Sequence, residues 1–139
     1  MGQGPFANRS TGRGVPASVN NAGEQLVVGP DNTITVIIAN GVALTDVIDL
    51  KQNIITAIQI PAAWTAANLT FQASSTRTGT FADVFDAAGN ELTAVAAASR
   101  VIVDLLELSP IRFLKIRSGT TGTPVNQGAE RTLNLILNG

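Results

Sequence analysis

Asp83, Asp86, Asn90 and Glu91 stand close together in the chain and could bring oxygen ligands to one ion, or two carboxylates to one proton transfer. Calcium takes such oxygen cups, and paired carboxylates do acid/base work. The spacing suits neither. Gly89 comes three residues after Asp86, and no bidentate residue follows at the distance a calcium loop requires. Residues three apart on a strand point to opposite faces, so Asp83 and Asp86 cannot share one proton. The stretch reads as a solvated hairpin in which Asp86 and Asn90 bond to turn backbone, and no metal is expected.

Two other groups invite chemistry. Trp64 could be a platform on which a sugar stacks, but no aromatic accompanies it before Phe71. The plainer reading is a tryptophan plugging one end of a core, with its indole N–H bonded to a partner. Arg112, Lys115 and Arg117 form a small basic cluster in "RFLKIRSG". They could grip phosphate or the carboxylates of a neighbouring subunit, or lie on a solvated sheet face covering apolar neighbours. Aromatics do not alternate with them, so they are a weak nucleic-acid signal.

Composition narrows the chemistry further. The 139 residues contain no Cys, no His and no Tyr. Disulfides and thiolate sites are excluded, and the commonest general base is missing. No nucleophile motif, phosphate loop or zinc pattern occurs. Enzymatic activity and a cofactor are therefore not expected. Only 14% of residues are charged and the net charge is −1, which gives no electrostatic reason to seek nucleic acid or an anionic membrane. It also leaves little repulsion to oppose self-association. No apolar run reaches the length of a membrane span, and the first residues lack a signal-peptide core. Phe6 stands where a myristoylation motif needs Ser or Thr. A protein made and used in a cytoplasm is the expectation.

The elements that must position these groups are strands. "TITVIIAN" alternates, with Ile34, Val36 and Ile38 on one face. "GVALTDVIDL" sets Val42, Leu44, Ile48 and Leu50 together, with Asp46 an exception. "NIITAIQI" sets Ile54, Ile58 and Ile60 inward, and Pro61 ends that ladder. Leu69, Phe71 and Ala73 share a face, as do Val101, Val103 and Leu105. In the next strand Leu114 and Ile116 oppose Phe113; in the last, Leu133, Leu135 and Leu137 align. Turn residues punctuate these runs at 30–32, 39–41, 87–90 and 118–124. The one helical candidate is the short "AVAAAS". About eight or nine short strands without a long helix predict an all-β antiparallel sandwich over residues 24–139, with jelly-roll topology the favoured variant.

Residues 1–23 differ in kind. They are rich in Gly, Asn, Ser, Thr and Pro, with Arg9 and Arg13 and no acid before Glu24. Such a segment cannot bury a core of its own. It reads as an extended arm held by a partner, with Phe6, Arg9 and Arg13 as contact residues.

The run "IQIPAAWTAANLTFQASSTRTGTFADVFDAAGNELT", followed by "SRVIVDL" and "IRFLKIRSGT", resembles capsid decoration, or cement, proteins of tailed bacteriophages. The recurrent pieces are a Pro–Trp–Thr entry into "LTFQ", an "F-x-D-x-x-D-x-x-G-N" hairpin and an "R-F-L-K-x-R-S-G-T" strand. They cover Ile58 to about Thr121. Where such proteins often carry Asp-Gly-Gly in the first hairpin, this chain has "STRTG" at 75–79. The resemblance implies a jelly roll on the outer surface of an icosahedral head, a major capsid protein as partner, and no catalytic residue. A homodimer straddling capsomers, or a trimer, is the expected assembly.

Overall fold

The computed structural model describes residues 32–138. The Phe6, Arg9 and Arg13 contacts expected of the arm lie outside the described residues.

Among the described residues eight strands follow one another: β1 (Thr33–Ile38), β2 (Ile48–Asp49), β3 (Ile54–Gln59), β4 (Leu69–Ser74), β5 (Ala82–Asp83), β6 (Val101–Val103), β7 (Phe113–Ser118) and β8 (Arg131–Asn138). One 3-10 turn, Leu106–Leu108, sits between β6 and β7. The strands form two antiparallel four-stranded sheets, ordered β1-β8-β3-β6 and β2-β7-β4-β5. The chain is an all-β sandwich. Among the described residues the pairings nest: β1 pairs with β8, β2 with β7, β3 with β6 and β4 with β5.

Period-2 patterning explains why the sheets face each other. Ile34, Val36 and Ile38 of β1 and Leu133, Leu135 and Leu137 of β8 all turn into the interior, each at most 4% exposed. From the other sheet come Ile48, Leu69, Phe71, Leu114 and Ile116. Phe71 is the largest fully buried side chain; replacing it with Ala is expected to cost about 3–5 kcal/mol.

Three register expectations are corrected. In β3 a bulge between Ile55 and Ala57 inserts an extra residue, so Ile55, not Ile54, is buried before the bulge and Ile58 after it. A strict alternation cannot survive that insertion. In β6, Val101 and Val103 point outward, 49% and 63% exposed, while Ile102 packs on the core. Leu105 is buried nonetheless, because Asp104 adopts φ 67 and turns the chain between them. Before β2, Val42 is exposed, since residues 42–47 form no regular strand. Thr45 makes the connection there: its N–H donates to Ile116 O, and its hydroxyl accepts from Ile116 N–H, both at 3.0 Å. The alanine-rich "AVAAAS" is not helical.

One end of the sandwich is pinned by a buried amide. Gln127, 1% exposed, accepts from Thr65 N–H (2.8 Å) and Arg131 Nε (3.2 Å). Its Nε2 donates to Thr65 O (3.0 Å) and Ser118 Oγ (2.6 Å). All four hydrogen-bonding positions of that amide are used, joining the β3–β4 loop, β7 and β8.

Candidate functional site: the two outer faces

The outer face of the β2-β7-β4-β5 sheet carries the predicted basic residues. Alternation on β7 sends Phe113, Lys115 and Arg117 outward, opposite the core-facing Leu114 and Ile116. Asp49 lies beside Phe113 in register, and Thr70 beside Arg117. The structure does not gather Arg112, Lys115 and Arg117 into one free patch; each is engaged separately.

Arg117 is held tightest. Its side chain is 7% exposed, and its guanidinium fork reaches three partners. Nη1 donates to Asp83 Oδ1 and Nη2 to Glu91 Oε2, both at 2.8 Å. Nε donates to Thr70 Oγ1 at 2.9 Å. Thr121 completes the group, its hydroxyl donating to Asp83 Oδ2 at 2.7 Å and its N–H to Glu91 Oε2 at 3.0 Å. Hydrogen bonds from Thr121 and then Arg117 hold the Asp83 carboxyl below its ordinary value, against the opposing effect of burial. The arrangement clamps the hairpin from Asp83 to Glu91 onto β7. It is a structural lock: every strong group on it faces another of the same chain.

Asp49 organises a second cluster. Its side chain is 5% exposed and accepts from Arg112 Nε, Arg77 Nη2 and Lys51 N–H, each at 2.9 Å. Burial alone pushes this carboxyl up; the Arg112 hydrogen bond, the Lys51 amide and the charges of Arg112 and Arg77 outweigh it and hold the group below the usual range. Arg112 is correspondingly raised by its bond to Asp49. Both guanidinia lie over the Phe113 ring, at 4.9 Å for Arg112 and 5.7 Å for Arg77, and Lys115 Nζ lies 4.7 Å from the centre of Phe81. These are cation–π distances. The long cations cover aromatic surface.

The remaining sequence candidates are placed as follows. Asp86 caps its own hairpin: Oδ1 accepts from the N–H of Ala88 and of Asn90, both at 2.9 Å. The Asn90 amide foremost holds its carboxyl below the ordinary value. Gly89, at φ 89, supplies the left-handed turn residue. Trp64 is half-buried, packs against the core and donates Nε1–H to Ala67 O at 3.1 Å. Among the described residues no group of three or more His, Cys, Asp or Glu is arranged to hold a metal ion.

The outer face of the other sheet is the opposite in chemistry. Outward positions carry Thr35 and Ile37 on β1, Thr132, Asn134 and Ile136 on β8, Gln59 on β3, and Val101 and Val103 on β6. None is charged. Ile37, Val101, Val103 and Ile136 are 36–63% exposed, and Thr35 donates to Asn134 Oδ1 across the strands at 3.1 Å. Such a surface can be covered without stripping water from an ion. Sequence reasoning missed it because it set Val101 and Val103 inward. The Asp49 and Arg117 clusters were equally hidden, since Asp49 and Arg112 meet only through β2–β7 pairing. Among the described residues no helix is long and apolar enough to cross a membrane.

Compared with protein-family models, curated proteins and solved structures, the chain has no match.

Proposed function

We propose that this protein is a non-enzymatic structural subunit that decorates and cements an icosahedral tailed-phage head, binding major capsid subunits on the outer surface. The single structural observation that supports a subunit role, burial against another protein, is the uncharged outer face of the β1-β8-β3-β6 sheet; the phage head comes from the resemblance noted above. Four exposed aliphatic side chains set among Thr, Asn and Gln suit burial against another protein. On a two-fold axis a surface meets its own copy, so a charged face would repel itself and this one does not. We assign the homodimer to this face, with a trimer as the other closed arrangement, and attachment to the shell to residues 1–23 through Phe6, Arg9 and Arg13. Such an arm can reach up to roughly 75 Å when extended. We read the nested strand pairing as jelly-roll wiring, in keeping with the resemblance noted above.

A carbohydrate-binding role would rest on Trp64, whose engagement with the core and with Ala67 O favours the structural reading instead. A tail or baseplate subunit differs only in location. The deciding experiment is co-sedimentation of the purified protein with heads stripped of it, and in parallel with isolated tails. Saturable binding to heads that disappears when residues 1–23 are deleted is the expected result. Binding to tails alone moves the protein there. Binding to neither, with glycan binding lost in Trp64→Ala, replaces the cement reading.

A further inference from the structure

Strand β6 borders the uncharged face, and among the described residues it pairs with β3 alone. Ile60 N–H donates to Arg100 O at 2.8 Å. Arg100, and by alternation Ile102, therefore direct their backbone groups to β3. The N–H and C=O of Val101 and Val103 point the other way, to the open edge. Such a row of donors and acceptors is a template for one more strand.

The surroundings of β6 say which strand fits. Val101 and Val103 are 49% and 63% exposed, and Val95 and Leu106 are 64% and 67% exposed. A groove of about 260 Å³ runs beside the strand, lined by Val95, Ile102, Val103 and Leu105 among others. Apolar surface of this kind gains by being covered. Charge then selects the cover. Arg100 precedes the strand and Asp104 follows it, and both are exposed. Neither belongs to an ion pair among the described residues. Read outward from Ile102, "RVIVD" gives a valine and then a charge on each side, the charges opposite in sign.

A two-fold contact must be complementary to itself, and this segment is. Setting Val101 opposite Val103 of an antiparallel second copy puts Ile102 against Ile102 on the axis. It also puts Arg100 against Asp104 at both ends. Backbone parity agrees independently. The pairs that exchange hydrogen bonds in this register are Val101 with Val103, whose groups point to the open edge. The neighbouring registers lose the charge match. Val101 against Val101 sets Arg100 opposite Ile102, and Val103 against Val103 sets Asp104 opposite Ile102.

We propose that β6 pairs antiparallel with β6 of a second copy about a two-fold axis at Ile102, with Arg100–Asp104 ion pairs closing both ends. The inference rests on the homodimer assigned above to this face and names the strand that joins the copies. The two β1-β8-β3-β6 sheets become one continuous sheet, and their uncharged faces run side by side.

Sedimentation velocity of the full chain tests the seam with Arg100→Asp and Asp104→Arg. Each alone sets like charges opposite one another at both ends and is expected to weaken the dimer at least about tenfold. Mixed in equal amounts, the two variants set Asp against Arg at both ends, and a mixed dimer is expected to recover most of the lost affinity. Dimers indifferent to either substitution, or variants that stay apart when mixed, overturn the proposal. The seam also ranks two lysines: Val103→Lys should weaken the dimer more than Ile136→Lys, which lies two strands away. The reverse order overturns it.

Oxidation gives a readout that needs no charge. The chain contains no Cys, so Ile102→Cys supplies a single thiol facing its symmetry mate. The Cα atoms of that pair lie about 4.5 Å apart, inside disulfide range. A covalent dimer is expected on mild oxidation, formed at least about ten times faster than with Ile37→Cys at the β1 border of the same face. Equal rates, or no bond through Ile102→Cys, overturn the proposal. The unaltered chain separates the two readings. A dimer that ignores these substitutions keeps the homodimer and removes the seam. A monomer at every concentration removes both, and head binding alone then decides the cement role.

Discussion

The two outer faces of this sandwich both belong to antiparallel four-stranded sheets yet handle charge in opposite ways. On the β2-β7-β4-β5 sheet, Arg117 and Asp49 are almost buried and each is matched by partners from distant parts of the chain. On the β1-β8-β3-β6 sheet the outward positions described above carry no charge at all. The difference teaches where to look for a docking surface. Charges already paired inside a chain fix its geometry and have little left to offer a partner. Removing one member leaves an ion stranded. An uncharged face with exposed Val and Ile has no ion to desolvate and gains roughly 25 cal/mol for each Å² of apolar area covered.

The comparison breaks if the paired face turns out to be dispensable for folding. Arg117→Met should lower unfolding free energy by about 3 kcal/mol, because Asp83 and Glu91 then face an apolar side chain; urea denaturation measures it. A smaller loss, about 1–2 kcal/mol, is expected for Asp49→Asn, which keeps shape but replaces a carboxylate accepting several donors. Acid sharpens the same point. The Asp49 and Asp83 carboxyls titrate below their ordinary value of 3.8 in the folded chain. The unfolded chain therefore takes up protons first, and the stability these groups contribute, complete above their unfolded values, is lost as pH falls through the folded ones. Thermal unfolding midpoints should be level from neutrality to roughly pH 5 and decline below about pH 4, less steeply in Asp49→Asn. The smallest effect on folding belongs to the other face. Ile136→Lys and Val103→Lys should each change stability by less than about 0.5 kcal/mol, yet weaken self-association in sedimentation velocity. An unchanged dimer in both would move the contact off this sheet.

Much of the architecture was legible because burial imposes a period of two. The faces of β1, β7 and β8 follow directly from Ile34 to Ile38, Phe113 to Ile116 and Leu133 to Leu137. Pattern reading failed where the backbone left the regular ladder: at the β3 bulge, at Asp104 and around Thr45. None of these has a local residue signature as strong as Gly or Pro. The paired clusters were invisible for another reason. Asp49 looked ordinary beside Ile48 and Leu50, and the prominent Asp46 is the exposed one of the two. Its partners Arg77 and Arg112 are brought to it by topology, which no short window of sequence contains. Gln127 gave no signal either, since a glutamine between turn residues reads as surface.

The pairing of β1 with β8 also sets a clock. β8 lies between β1 and β3, so Thr33 waits for Ile136 and the sheet has no centre until β8 has left the ribosome. Pairings of such long sequence separation form on the slow, millisecond-to-second side of single-domain folding. A chain halted before Arg131 leaves β1 and β3 without their shared neighbour, an aggregation-prone state. That sheet face therefore exists only once Arg131–Asn138 has been made, and a nascent chain shorter than that has no such face to offer a neighbour.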